Sequence, residues 1–138
     1  AYALLKKGEI SSRELTQAVL DKITALDEKL HAFLYVSTES ALQQADVADY
    51  RRKTQSEDEN PLLGIPLAVK DVLTVQGMPC TCGSKILEGY HPPYTATAVK
   101  NLQNLKLKRQ DLAVLGQLTT GQNAQALQQL LRRYSHAQ

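Results

Sequence analysis

The sequence predicts an α/β fold, in which N-terminal helices pack on the first strands of a sheet and a helical tail follows. Three observations support this prediction. Apolar and small residues recur at steps of three and four before residue 54, which is typical of helices. A short apolar run predicts a buried strand at 65–69. It consists of Leu63, Ile65, Leu67, Ala68 and Val69, with Gly64 and Pro66 towards its start. Leucines return at helical spacing within residues 104–138.

The first helices have recognisable ends. Residues 1–7 predict a short helix that Gly8 ends. Ser11 and Glu14 predict a capping box, in which each side chain pairs with the other residue's backbone N–H. The helix that follows should pack through one aliphatic stripe, and we interpret it as a structural element. The stripe consists of Leu15, Val19, Ile23 and Leu26.

A β-prone run at 32–36 precedes another helix, which Ser37 or Thr38 caps. Its inner face is made of small residues, which allow close packing. These residues are Ala41, Ala45 and Ala48. Basic residues at 51–53 suit the negative end of the helix dipole, and residues 55–60 predict an exposed loop.

Residues 62–87 contain the candidate chemistry. Lys70 directly follows the apolar run. A second β-prone piece at 72–75 predicts a strand beside the first one, and a glycine-containing loop occupies 76–84. A lysine on a buried strand beneath such a loop is a candidate general base. We expect its stem to lie against apolar residues and its ammonium to face the 80–84 loop. The pattern alone also fits a solvated lysine at the end of a strand.

Composition narrows the possible functions. A net charge of +2 is too small by itself to indicate nucleic-acid binding. Cys80 and Cys82 are the two cysteines, which suits a reducing compartment and is too few for a zinc site. No apolar run approaches the length of a membrane span, so we expect no membrane association.

Two segments carry a resemblance to a known family: residues 64–71 (GIPLAVKD) and 77–87 (GMPCTCGSKIL). The flanking segments 6–23 (KKGEISSRELTQAVLDKI) and 87–102 (LEGYHPPYTATAVKNL) agree with them. Together these motifs resemble the amidase signature family, and within it the A subunits of glutamyl-tRNA(Gln) amidotransferases. The resemblance spans roughly residues 1–102 and implies the first strands of a large mixed sheet.

The resemblance also implies a mechanism. In the family, a serine attacks an amide carbonyl, a second serine relays its proton, and a lysine accepts it; Lys70 occupies the lysine position. The two serines belong to a Gly-Gly-Ser-Ser-Gly-Gly type segment and its surroundings, which this sequence does not contain. We therefore expect the chain alone to be inactive, and its status as an enzyme stays open.

The implied reaction is the release of ammonia from glutamine, for conversion of Glu-tRNA(Gln) to Gln-tRNA(Gln). The implied partners are a B subunit and a C subunit, with tRNA reached only through the complex. No cofactor is expected in this chain, since ATP and Mg would belong to the B subunit. The implied location is the cytoplasm, or an organellar matrix or stroma in a eukaryote.

We divide the chain into two parts. Residues 1–103 are interpreted as an incomplete N-terminal portion of an amidase-signature domain. Residues 104–138 predict an amphipathic helical hairpin of unknown family. Because Ala1 begins in a helical pattern without a preceding Met, we expect a fragment or a processed product. The alternative function is a non-catalytic remnant or protein-binding module, in which the helical tail mediates interaction.

Overall fold

A computed structural model describes residues 1–54, 61–103 and 114–118, of which 103 and 114–118 are described by their backbone alone. The architecture is α/β, as predicted. Four helices and three strands are present in the described residues. In chain order they are α1 (Tyr2–Lys7), α2 (Ser12–Leu30), β1 (Phe33–Val36), α3 (Thr38–Thr54), β2 (Leu67–Lys70), α4 (Thr97–Gln103) and β3 (Val114–Leu118). A 3₁₀ turn at Lys85–Leu87 precedes α4.

The ends of α1 and α2 form as the local sequence predicts. Gly8 ends α1 with φ of 70°, a left-handed conformation that favours glycine. At the start of α2, the Glu14 N–H donates to Ser11 Oγ at 3.0 Å. The Ser11 N–H donates to Glu14 Oε2 at 2.8 Å, which completes the capping box. The chain therefore turns between the two helices through short-range contacts.

The inner face of α2 is shifted from the predicted stripe. Its buried residues are Ser12, Thr16 and Leu20, four apart on the helix, whereas the predicted aliphatic residues are only half-buried. The reason is the partner surface, because α2 packs against α3 and the inner face of α3 is alanine. Small side chains let two helices approach closely. Leu20 packs with Ala41 of α3, and Val19 and Ile23 lie against this pair.

The alanine face of α3 is confirmed. Ala41, Ala45 and Ala48 are completely buried. Asp49 on the same helix accepts from the backbone N–H groups of Ser12 at 2.7 Å and Arg13 at 3.0 Å. This carboxylate therefore satisfies free donors at the N-terminus of α2 and joins the two helices.

The sheet is mixed, with strand order β1-β3-β2. β1 runs antiparallel to β3, and β2 runs parallel to it. The prediction that 72–75 forms a strand beside β2 is wrong. The chain turns at 70–73 instead, where the Leu73 N–H donates to the Lys70 carbonyl at 2.9 Å, and residues 74–75 belong to no helix or strand. β2 instead pairs with a segment more than forty residues further along the chain, since Lys70 lies opposite Leu118.

α4 begins at Thr97, and just before it the Thr95 hydroxyl accepts from the Gln76 N–H at 3.0 Å. A further prediction needs correction. The helical hairpin predicted for 104–138 is wrong over residues 114–118, which form β3. Pairing on both sides satisfies the backbone of β3 within a sheet. Residues 104–113 and 119–138 lie outside the described residues, as does the loop predicted at 55–60.

A small apolar core lies beneath β2 and the turns that follow it. Val69, Val75, Met78 and Val99 pack together, with Leu67, Leu73 and Ala96 against them. Among the helices in the described part of the chain, none is long and apolar enough to cross a membrane.

Candidate functional site

Lys70 is the last residue of β2, as the sequence predicts. Its backbone is held on two sides, by pairing with β3 at Leu118 and by the turn that its carbonyl forms with Leu73. The Lys70 residue is exposed, which fits the alternative of a solvated lysine at the end of a strand. Successive strand residues face opposite sides of a sheet, so Lys70 points away from the core that contains Val69. The expected direction of its ammonium towards the 80–84 loop stays a prediction.

The residue after Lys70 is a buried carboxylate that sequence reasoning missed. Asp71 is 1% exposed, and its side chain accepts three hydrogen bonds from one loop. The donors are the Thr81 N–H at 2.9 Å, the Thr81 hydroxyl at 2.6 Å and the Gly83 N–H at 3.2 Å. A signal was present in the sequence, since an acid interrupts the apolar residues Val69 and Val72. Acidic residues are rarely fully buried unless they are paired.

The two cysteines differ in environment. Cys80 is 2% exposed, and its thiol donates to the Asp71 carbonyl at 3.2 Å. Burial raises the pKa of the Cys80 thiol, and the neighbouring Cys82 raises it further. Cys82 is exposed, has φ of 51°, and donates its N–H to the Asp71 carbonyl at 3.1 Å. Cys82 is therefore the accessible thiol of this loop.

Three serines of the described residues lie in local structural settings. Ser84 accepts from the Ile86 N–H at 3.3 Å and begins the 3₁₀ turn. Ser11 belongs to the capping box, and Ser12 is buried between helices. The described residues thus bring together a strand-end lysine and an ordered loop, without the paired serines of the family pattern.

A cleft of about 1080 Å³ lies elsewhere, between the end of β1, the start of α3, and the turns at 75–78 and 93–95. Ser37, Ser40 and Lys100 are among its lining residues, and Lys70 is not. This cleft and the candidate base therefore do not coincide. We place the candidate site at the end of β2, because the lysine, the buried carboxylate and the accessible thiol are all there. Within the described residues, no three His, Cys, Asp or Glu side chains are grouped to hold a metal ion.

Comparison with known proteins identifies the family. The model of the amidase family matches residues 14–128, so the match continues beyond the residues on which the resemblance was recognised. The A subunit of glutamyl-tRNA(Gln) amidotransferase from Salinispora arenicola is 53% identical over 100 residues, which cover 72% of this chain and 20% of the relative. The corresponding subunit from Streptomyces avermitilis is 48% identical over 114 residues, covering 83% of this chain and 22% of the relative.

Solved structures agree with the sequence match. The native peptide amidase from Stenotrophomonas maltophilia superposes with a TM-score of 0.73 at 34% identity, over 84% of this chain and 23% of that protein. The chain spans about one fifth of the length of the curated relatives it matches. It belongs to the amidase signature family, and its sequence is similar to the N-terminal region of glutamyl-tRNA(Gln) amidotransferase A subunits.

Proposed function

We propose that this chain is the N-terminal portion of a glutamine-hydrolysing A subunit of glutamyl-tRNA(Gln) amidotransferase, and that it supplies the lysine base. The observation that carries the proposal is the 53% identity to a relative named as that subunit. The position of Lys70 supports it, since the lysine ends a strand of a mixed sheet beside an ordered loop. The proposed reaction places the complete enzyme among the carbon–nitrogen ligases that use glutamine as amido donor.

Catalysis requires groups that the described residues do not bring together. A general base acts on a nucleophile within hydrogen-bond reach, and amide hydrolysis also needs donors for the developing oxyanion. In the proposed enzyme, the part of the A subunit that corresponds to the remaining length of the relatives provides the two serines and these donors. The same part covers Lys70. Because burial disfavours an ammonium, this cover favours the neutral amine that a base requires.

The proposed assembly follows from the same assignment. A B subunit uses the released ammonia together with ATP and Mg to amidate Glu-tRNA(Gln), and a C subunit binds the A–B pair. This portion of the A subunit contacts tRNA only through the complex. The proposed location is the cytoplasm, or the matrix or stroma of an organelle.

A graft tests the proposal. Residues 1–103 replace the matching segment of the Streptomyces avermitilis A subunit, and ammonia release from glutamine is measured in the assembled complex. The graft should be active, and Lys70→Ala should reduce its turnover by roughly 10²–10⁴-fold, the usual contribution of a general base. Lys85→Ala, in the nearby 3₁₀ turn, is the matched control and should leave turnover unchanged. An active graft that is insensitive to Lys70→Ala would contradict the catalytic assignment.

The ungrafted chain gives the complementary result. It should release no more ammonia than its Lys70→Ala variant, because without an activated serine no acyl-enzyme forms. Lysine-dependent turnover by this chain would reveal a nucleophile within it. Cys82→Ala would then be the next variant, since the Cys82 thiol is exposed in the same loop.

Exposed apolar side chains favour a second candidate function, that of a non-catalytic association module. Ile86 is 93% exposed and Tyr94 is 56% exposed. In this case the isolated chain binds purified B and C subunits, and Ile86→Asp weakens binding while Lys70→Ala does not. Absence of binding by the folded chain would remove this candidate.

A further inference from the structure

Asp71 is an acidic residue buried inside this small structure. It is a carboxylate with 1% exposure that directly follows the exposed Lys70. Taking a carboxylate out of water is costly unless hydrogen bonds compensate. The compensation here comes from the loop at 80–84, whose Thr81 and Gly83 donate to the carboxylate. Hydrogen bonds to an ionised acceptor are stronger than those between neutral groups.

The main chain of Asp71 is attached to the same loop. Its carbonyl accepts from the Cys82 N–H at 3.1 Å and from the Cys80 thiol at 3.2 Å. The side chain and the carbonyl of Asp71 thus both accept hydrogen bonds from four consecutive loop residues, 80–83. The carbonyl contacts order the backbone of Asp71, and the carboxylate contacts order the loop around it.

This attachment has a consequence for Lys70. Lys70 and Asp71 share a planar peptide unit, so a fixed Asp71 backbone restricts the ψ angle of Lys70. The Lys70 carbonyl in that peptide unit also accepts from the Leu73 N–H at 2.9 Å. Pairing with β3 holds the strand on the other side of the lysine. The direction in which the Lys70 side chain leaves the sheet is therefore determined by groups on both sides.

We propose that Asp71 is a positioning residue, which fixes the exit direction of the Lys70 side chain by binding the 80–84 loop. The assignment of Lys70 as a base rests on the proposed function, whereas the positioning itself is a property of this chain. The negative charge matters, because both carboxylate oxygens face donors. In Asp71→Asn, one amide oxygen remains as acceptor and the amide NH₂ faces the Gly83 N–H, donor against donor.

The test uses the full chain and nuclear magnetic resonance. Asp71→Asn is compared with the parent at a temperature where methyl signals of buried Val99 show that both are folded. We expect the Lys70 Cε signal and amide signal to shift, and the Gly83 amide to exchange with solvent at least tenfold faster. Lys53, at the end of α3, is the internal control and should not shift.

Thr81 variants separate positioning from stability and remain informative if Asp71→Asn does not fold. Thr81→Val removes the hydroxyl that donates to Asp71 at 2.6 Å but keeps the backbone donors, and it should shift Lys70 signals part of the way. Thr81→Ser keeps the hydroxyl and should match the parent. Folded Asp71→Asn or Thr81→Val with unchanged Lys70 signals would overturn the proposal, since Asp71 would then only stabilise the loop.

The grafted A subunit separates this proposal from the function it rests on. There, Asp71→Asn should lower kcat at least tenfold and leave the KM for glutamine within twofold, as expected for a misplaced base. If Lys70→Ala does not affect the graft, the catalytic assignment fails. Shifted Lys70 signals in the Asp71→Asn chain would still establish the positioning. A lowered kcat without shifted Lys70 signals would refute it.

Discussion

Gly64 offers a test of how the segment before β2 is seated on the helices. It has φ of 72°, and a Cβ built on it would lie 1.8 Å from Ser12 Oγ, 2.7 Å from Ser12 Cβ and 3.3 Å from Ala48 Cβ. Gly64→Ala therefore combines two costs, a strained backbone and a steric overlap with Ser12 of α2, and it also brings the new Cβ into tight contact with Ala48 of α3. Gly8→Ala is the matched control, since Gly8 has φ of 70° and open space where a Cβ would stand.

Subtracting the destabilisation of Gly8→Ala from that of Gly64→Ala separates the two costs. A left-handed conformation costs a non-glycine residue about 1–2 kcal/mol, and both variants share this cost. Overpacking adds about 1–3 kcal/mol to Gly64→Ala alone. Ser12 is buried, and a clash with its Cβ cannot be relieved by rotating the hydroxyl. We therefore expect Gly64→Ala to lower the free energy of unfolding by about 1–3 kcal/mol more than Gly8→Ala.

Urea unfolding followed by circular dichroism measures this difference, which corresponds to roughly 1 M in the midpoint at a typical slope. Ser12→Ala extends the experiment, because it removes the atom at 1.8 Å and should restore part of the loss in the double variant. Equal destabilisation by Gly64→Ala and Gly8→Ala would refute the reasoning. It would mean that the backbone at Gly64 does not lie against α2 as described.

Three further results are expected. Asp49→Ala should lower the free energy of unfolding by about 1.5–3 kcal/mol in the same urea assay, because Asp49 accepts two hydrogen bonds at the start of α2. Asp46→Ala, which removes only an exposed ion pair, should cost at most about 1 kcal/mol, and equal losses would contradict the capping role. The Ser11 N–H, which donates to the Glu14 carboxylate, lowers the pKa of Glu14 from its ordinary value of 4.5. The capping box therefore stabilises the fold above that pH, and this stabilisation is lost as the pH falls through the lowered pKa. Between pH 6 and pH 3 the urea midpoint should fall less for Glu14→Gln than for the parent. An equal fall in both proteins would count against the capping box. N-ethylmaleimide followed by mass spectrometry should label Cys82 at least tenfold faster than Cys80 at pH 7, because Cys80 is buried with a raised pKa; equal rates would be inconsistent with the described loop.

The local elements of this protein were predictable from the sequence. The capping box, the left-handed glycine after α1 and the alanine face of α3 each depend on residues a few positions apart. Such contacts arise from backbone sterics and hydrogen-bond chemistry that neighbouring residues already contain. The position of Lys70 at the end of a strand was predictable for the same reason, since the strand is a short apolar run.

Only the tertiary structure decided the partners of these elements. Residues 72–75 have β-prone side chains, yet they form no strand. Their backbone instead makes hydrogen bonds to Lys70 and to the segment before α4. β2 takes β3 as its neighbour, a strand within a segment whose leucine spacing favoured helix. The role of Asp71 likewise depends on a loop ten to twelve residues away. Pairing between distant segments depends on which donors and apolar faces the folded chain brings together, and short-range sequence patterns do not contain that information.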